Sequence, residues 1–443
     1  MQYTYFAELQ NTFFLVFLVG TLLNTAVEAF VDWTNTKDDG NEKKLKRLHA
    51  IHPLAKKLFS RSKIEKSRRY NLEKASLWDM FSSVTSTVAL ACVMLGVAPF
   101  ALHSILTAFP GIPVPAGYVV VLLAFSALKT AFEIPFSHYG TFTIEDRWGF
   151  NRTDGRTFYT DMLKGFLISS ATTCVLVPVL DWLLTSFGRY TPWRVCGLVL
   201  CLICAEMLIE FLWMTVIIRL FNRLQPLKDG RLKRMVSSLL KRCGYDSRRV
   251  FVMDTSRRSS KANAVIGGFW KSKRIILFDT LLRNHTEDEV VAILGHELAH
   301  GKLHHLLVCR VISAVTLLAT TFIAFSFIYD PRLYHAFGFS WIAEDNVVEF
   351  SLVGFGLAMT VIGSVKWILQ PVNAWISRRM ECAADRYSVK FTRKPDALAT
   401  ALMKLTSDSL GDVFPGETYE MWNNSHPSIL KRLDALAKGR GKK

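Results

Sequence analysis

Two histidines four residues apart, with a glutamate beside the first, stand in the stretch GHELAHG at positions 295–301. On an α-helix, residues i and i+4 lie one above the other. His296 and His300 then both aim a ring nitrogen at one Zn²⁺, which binds imidazole at about 2.0–2.1 Å. Glu297 is offset by about one-third of a turn. It reaches water on the metal rather than the metal itself, and so suits the role of general base. The chemistry is metal-assisted peptide hydrolysis, provided that the motif lies on a helix. An amphipathic helix that holds two histidines by coincidence is the competing reading.

A catalytic zinc site needs a third protein ligand and one open position. His304 and His305 are nearby, and His304 continues the i+4 face. The HExxHxxGxxH pattern fails, however, because Leu303 and Leu306 occupy its glycine and histidine positions. A better candidate lies in SRRMECAADRYSV, where Glu381 and Asp385 are again i and i+4 on an expected helix. Glu381 would ligate the ion. Asp385 would hold the other ring nitrogen of a ligand histidine.

The elements that must position these groups are legible around them. Thr286 followed by Glu289 is a capping box, and Val290, Val291, Leu294 and Leu298 give the motif helix an apolar face. Upstream, PLKDGRLKRMVSSLLKRCG reads as an amphipathic helix closed by Gly244, and RRVFVMDTS and KRIILFDTLL read as short strands.

At 443 residues, two soluble domains would be the default, but half of the residues are hydrophobic and gather in long runs. Each span needs roughly 20 apolar residues to cross about 30 Å of hydrocarbon. Seven candidates fall at about 9–31, 80–104, 117–134, 164–187, 195–219, 306–329 and 349–376. The first lacks the basic n-region of a signal peptide and is expected to remain. The loop after it is densely basic (KKLKRLHA, AKKLFSRSK, KSRRYNLEK), whereas residues 105–116 carry no Lys or Arg. Arg147, Arg152 and Arg156 add to the second basic loop. Arg189 and Arg194 slightly dilute the contrast. By the positive-inside rule the N-terminus is lumenal, and the odd-numbered loops and C-terminus are cytosolic. The net charge of +17 is then explained by span-flanking basic residues, and no nucleic-acid partner is expected. The sequons at Asn151, Asn284 and Asn423 fall on the cytosolic side and read as unused.

The expected organisation is spans one to five in 1–219 with cytosolic loops 32–79 and 135–163, and a zinc protease domain in 220–305. Spans six and seven follow in 306–376, and the C-terminal part of the protease in 377–443. Glu28, Lys129, Glu133, Asp181, Glu206, Glu210 and Lys366 fall in or at the ends of spans, where ionisable groups normally face a cavity or each other. The eight cysteines show no disulfide framework, and Cys201 and Cys204 read as packing residues within a span.

With these residues in view, the chain resembles the type-1 CAAX prenyl proteases, membrane zinc proteases that mature pheromone-like and prelamin-like precursors. The likeness rests on RRYNLEK (68–74), EDRWGFNR (145–152), LFNRLQPLKDG (220–230), NAVIGGFWKSKRIILFDTLL (263–282), LGHELAHGKLHH (294–305), ECAAD (381–385) and SHPSILKRL (425–433). It implies a mainly α polytopic fold: seven spans forming a hollow chamber, capped by a cytosolic, gluzincin-like HExxH domain with a small β-sheet. It implies His296, His300 and Glu381 as ligands of one Zn²⁺ per chain, with Glu297 as base. Asn263 would bind substrate backbone along an edge strand, and His426 and Arg432 would help bind the scissile carbonyl or its oxyanion. The implied activity is removal of the aaX tripeptide from farnesylated or geranylgeranylated CaaX proteins, with a further N-terminal-side cut in pheromone- or lamin-like precursors. The implied location is the endoplasmic reticulum membrane, with the inner nuclear membrane as a further site. Where the family usually reads HELGHW, this chain has Ala299 and Gly301, and His304 replaces a usual glycine. ECAAD replaces the commoner EFQAD but keeps the ligand and its support. A quality-control protease that clears misfolded or translocon-stalled proteins would use the same chemistry. An idle scaffold would not need all four motif residues.

Overall fold

The computed structural model describes residues 6–36, 41–185, 192–246, 250–267 and 274–440. Arg189 and residues 268–273 of the NAVIGG block, named above, lie outside the described residues. Among the described residues, seven helices are long and apolar enough to span a membrane: Thr12–Thr36, Arg61–Met94, Val114–Glu145, Gly155–Thr185, Val195–Phe221, His305–Phe325 and Ser351–Thr392. Their large apolar side chains are bare in the isolated chain, Leu22 on the first and Val315 on the sixth among them. Lipid, not water, matches such surfaces.

The span count agrees with the sequence, but boundaries differ, most of all in the second span. The apolar run at 80–104 is not a single span. The helix stops at Met94, Gly96 takes a left-handed conformation (φ 61°), and Val97–Ala108 resumes as a separate helix. Twelve residues at 1.5 Å per residue are too few to cross a bilayer. The helix that carries the second span instead begins at Arg61, far into the basic loop, and its apolar part is the C-terminal one. Only glycine adopts that backbone turn without strain, so the break is local chemistry that hydropathy ignores.

The helical run that carries the seventh span comprises Ser351–Val365, a short 3₁₀ turn and then Gln370–Thr392, whose charged second half runs beyond the apolar stretch and carries Glu381. The expected division at 376 falls inside that last helix. The first and seventh spans meet closely, since a Cβ added at Gly20 would lie 2.7 Å from Ser364 Oγ. Glu210 and Arg310 pair at 2.7 Å between the fifth and sixth spans.

The sheet comprises β1 (Leu224–Pro226), β2 (Val250–Met253), β3 (Ala264–Gly267) and β4 (Arg274–Phe278), in the order β1-β2-β4-β3. β2 and β4 are parallel, and the other pairs are antiparallel. The sequence reading finds β2 and β4. It misses β1 and β3, which are short and contain Pro226 and Gly267, both poor strand signals. The amphipathic helix forms as Arg231–Cys243, closed by Gly244 at φ 73°. Its Leu239 and Leu240 pack with Leu277, Leu281, Leu294 and Leu298. Full burial of each such leucine contributes about 1.5–3 kcal/mol. A second core, including Ala292, Leu398, Met403 and Leu433, covers another face of the motif helix.

Candidate metal centre

The motif helix spans Glu287–Lys302, and its capping box is formed in both directions between Thr286 and Glu289. Two cores enclose it, so Val290 through His296, with Leu298 and Ala299, are buried. Burial fixes the rotation of the helix about its axis and therefore the direction of both histidines. Gly295 sets how closely the helix Gln370–Thr392 approaches. A Cβ there would meet Thr392 Cγ2 at 2.8 Å and Ser388 Oγ at 3.0 Å, and Ser388 Oγ donates to the Ala292 carbonyl at 2.8 Å.

This approach delivers Glu381 between the two imidazoles. Glu381 Oε2 is 3.3 Å from His296 Nε2, Glu381 Oε1 is 3.3 Å from His300 Nε2, and the two Nε2 atoms are 3.3 Å apart. Tetrahedral ligands about 2.0–2.1 Å from an ion stand about 3.3–3.4 Å from one another. Glu381 Oε2 is shielded from solvent and has no hydrogen-bond partner among the described residues. An orphaned buried acceptor beside two converging lone pairs is what a cation satisfies. The donor set, two imidazoles and a carboxylate, fits a metal such as zinc.

Behind each imidazole stands a different support. His296 Nδ1 is 2.9 Å from Asp385 Oδ1, and Arg432 grips Asp385 bidentately at 2.8 and 2.6 Å. Burial disfavours a charge on His296, but the Asp385 and Glu381 carboxylates outweigh it and raise its pKa to about 9. The pocket thus prefers a cation. Burial also raises the pKa of Glu297 above the usual carboxylate range, which improves it as a proton acceptor.

Behind His300 the sequence reading needs correction. His304 does not continue the i+4 face. The helix ends at Lys302, His304 turns left-handed (φ 55°), and a new helix begins at His305. It is buried His305 whose Nδ1 faces His300 Nδ1 at 3.1 Å.

Asn263 precedes the edge strand β3, and its Oδ1 accepts from the Ala264 amide at 2.8 Å. Asn263, His426 and Arg432 line one cleft of about 550 Å³. His426 is exposed, its Nε2 3.5 Å from Glu381 Oε1. Buried Glu420 anchors the SHPSILKRL segment, accepting from the Ser428 amide at 3.0 Å and from Lys431 Nζ at 2.9 Å. Nothing in the sequence singles out Glu420.

A second, half-buried cluster also escaped the sequence reading. Lys261 Nζ donates to Glu145 Oε1 and Oε2 at 3.0 and 2.9 Å, and lies 2.7 Å from the Tyr70 hydroxyl. Tyr70 donates to Glu145 at 2.7 Å. The signal that could have found it is the presence of Tyr70 and Glu145 in the blocks RRYNLEK and EDRWGFNR.

Comparison with known proteins agrees with this architecture. The model for peptidase family M48 matches residues 226–440, and the one for the CAAX prenyl protease N-terminal region, five membrane helices, matches 42–223. The chain is 32% identical to CAAX prenyl protease 1 of Saccharomyces cerevisiae, covering 70% of each protein. It is 31% identical to the Arabidopsis thaliana homologue, over 86% of this chain and 88% of that one. The Homo sapiens homologue is 30% identical, over 87% and 88%. The crystal structure of S. mikatae Ste24p superposes with a TM-score of 0.80 at 26% identity, covering 96% of this chain and 99% of that one.

Proposed function

This chain belongs to the CAAX prenyl protease 1 family, and from that premise we propose that it is a zinc endoprotease removing the aaX tripeptide from farnesylated or geranylgeranylated CaaX proteins. The observation that carries the reading is the 3.3 Å triangle of His296, His300 and Glu381 around an orphaned acceptor. When bound, zinc supplies Lewis-acid polarisation of the scissile carbonyl and makes water more acidic. Glu297, its own proton affinity raised by burial, accepts the proton of the attacking water and delivers it to the leaving amine. Asp385 and Arg432 fix the His296 ring; because Asp385 engages the Arg432 guanidinium bidentately, the expected oxyanion contact falls to His426, at the rim beside Glu381. The peptide lies extended beside Asn263 and pairs with the free edge of β3.

The organisation in this reading is five spans in 1–219, protease segments in 220–305 and 377–443, and two spans between them. The spans enclose a chamber that admits the prenyl tail. The active site and C-terminus face the cytosol from the endoplasmic reticulum membrane.

The test is cleavage of matched prenylated and unprenylated CaaX peptides by the full-length protein in lipid nanodiscs. Because the tail gains about 0.8 kcal/mol per buried CH₂ and takes no part in the chemistry, its removal should raise KM more than it lowers kcat. Equal kcat/KM for the two peptides would refute CaaX processing and favour the quality-control protease.

A further inference from the structure

Away from the metal centre, the start of the fourth span and the end of the fifth frame a cavity of about 500 Å³. Six cations line it: Arg156, Lys164, Arg219, Arg223, Arg257 and Arg258. Only two carboxylates do so, Asp154 and Asp161, which leaves an excess of four positive charges. Both carboxylates are engaged. Asp161 receives Arg258 at 2.9 and 2.8 Å and stands 3.6 Å from Lys164, and Asp154 accepts from the Thr157 amide at 2.6 Å.

The remaining cations divide into two kinds. Arg258 also donates to Asn222 at 3.1 Å and Lys164 to the Leu220 carbonyl at 3.0 Å, so these two are held in place, while exposed Arg257 reaches Asp254 at 3.4 Å. Arg156, Arg219 and Arg223 are exposed; Arg156 stands close enough to Asp154 to stabilise its charge, whereas Arg219 and Arg223 form no ion pair with a carboxylate among the described residues. Cations gathered around one hollow repel one another unless an anion enters. Positive-inside charge alone would spread along the loops; here it converges on a cavity whose Thr157 and Thr160 add hydroxyl groups.

We propose that this cavity holds the phosphate of an anionic phospholipid. Its position selects lipid over a soluble anion. It sits where two spans leave the bilayer on the same side, and Leu220, which lines it, is exposed together with neighbouring Leu163. A headgroup bound by the arginines would lay its acyl chains along those leucines. The proposal does not depend on the proteolytic reading.

The experiment uses the full-length protein in detergent, titrated with dioctanoyl phosphatidic acid, dioctanoyl phosphatidylcholine or inorganic phosphate, with bound ligand counted by native mass spectrometry. Phosphatidic acid should bind at least about tenfold more tightly than either other ligand. Arg219→Gln with Arg223→Gln should weaken it about thirtyfold, the loss of two arginine contacts near a lipid phosphate. These side chains are exposed, so an unchanged melting temperature should accompany that loss. Lys56→Gln with Lys57→Gln removes two exposed charges elsewhere and should change binding by less than about twofold. Equal losses in the two double variants would overturn the proposal in favour of diffuse charge. Phosphate binding as tightly as phosphatidic acid would overturn it in favour of a soluble anion, and no selective phosphatidic acid adduct would overturn it outright.

Discussion

The metal-site triad and the Tyr70–Glu145–Lys261 cluster are both built from ionisable side chains, and they are wired in opposite ways. At His296, His300 and Glu381 one ligand atom of each residue gathers around a shared centre, and the buried Glu381 Oε2 has no hydrogen-bond partner among the described residues. At Tyr70, Glu145 and Lys261 the charges satisfy one another: a cation, a carboxylate and a hydroxyl close a ring, with Lys74 at 3.3 Å from Glu145 and the Phe150 ring 4.5 Å from Lys261 Nζ. The first arrangement is incomplete without a guest, and the second is complete as it stands. Charge balance therefore separates a cluster that binds from a cluster that fastens.

The largest effects should come from the incomplete cluster, and two substitutions there should dissociate chemistry from binding. Glu297→Ala should lower kcat by about 10³- to 10⁴-fold while the protein retains stoichiometric metal, because Glu297 acts on water. Glu381→Ala should lose activity and metal together. Elemental analysis of the purified variants separates these outcomes. A metal-free Glu297→Ala would place that residue among the ligands and erase the distinction.

Somewhat smaller effects are expected one layer out, and they sharpen the comparison because the two histidines have unlike supports. Asp385→Asn should weaken metal affinity by about 10- to 100-fold, since it removes the charge behind His296 and leaves buried Arg432 without its partner. His305→Phe removes only a neutral contact behind His300 and should cost about tenfold or less. Competition with a chromogenic chelator measures both. The reverse order would mean that the His300 side governs metal retention.

How much of this was legible in the sequence follows the range of each interaction. The motif helix, its capping box and the Gly244 stop depend on neighbours within a few residues, and they formed as read. The Gly96 break is equally local, but a hydropathy window averages over it. The i+4 spacing that puts His304 on the ligand face holds only while the helix lasts, and this one ends at Lys302. The Asp385–Arg432 grip joins residues 47 apart, and the Lys261 cluster joins residues up to 191 apart. Spacing cannot suggest such contacts. The sequence blocks that contain their members are its only trace of them.

The smallest predicted effect tests the fastening cluster itself. Lys261 lies two residues before Asn263, and its carbonyl accepts from Thr280 Oγ1 at 2.9 Å, so its backbone is tied to the segment leading into β3. Lys261→Met keeps much of the side-chain length but strands Glu145, whose side chain is 22% exposed, with only Lys74 and Tyr70. Leaving such a carboxylate undercompensated should destabilise the protein by about 1–3 kcal/mol. If the cluster holds the edge strand in register for an extended peptide, KM should rise several-fold, roughly 1 kcal/mol of lost positioning, with kcat and metal content nearly unchanged. Glu145→Gln should act in the same direction. Combining the two should cost less than the sum of the single effects, because each removes the same contact. Strict additivity would show that Lys261 and Glu145 act separately. A fall in kcat with loss of metal would show that this cluster supports the ligand triangle, and the contrast between binding and fastening would no longer hold.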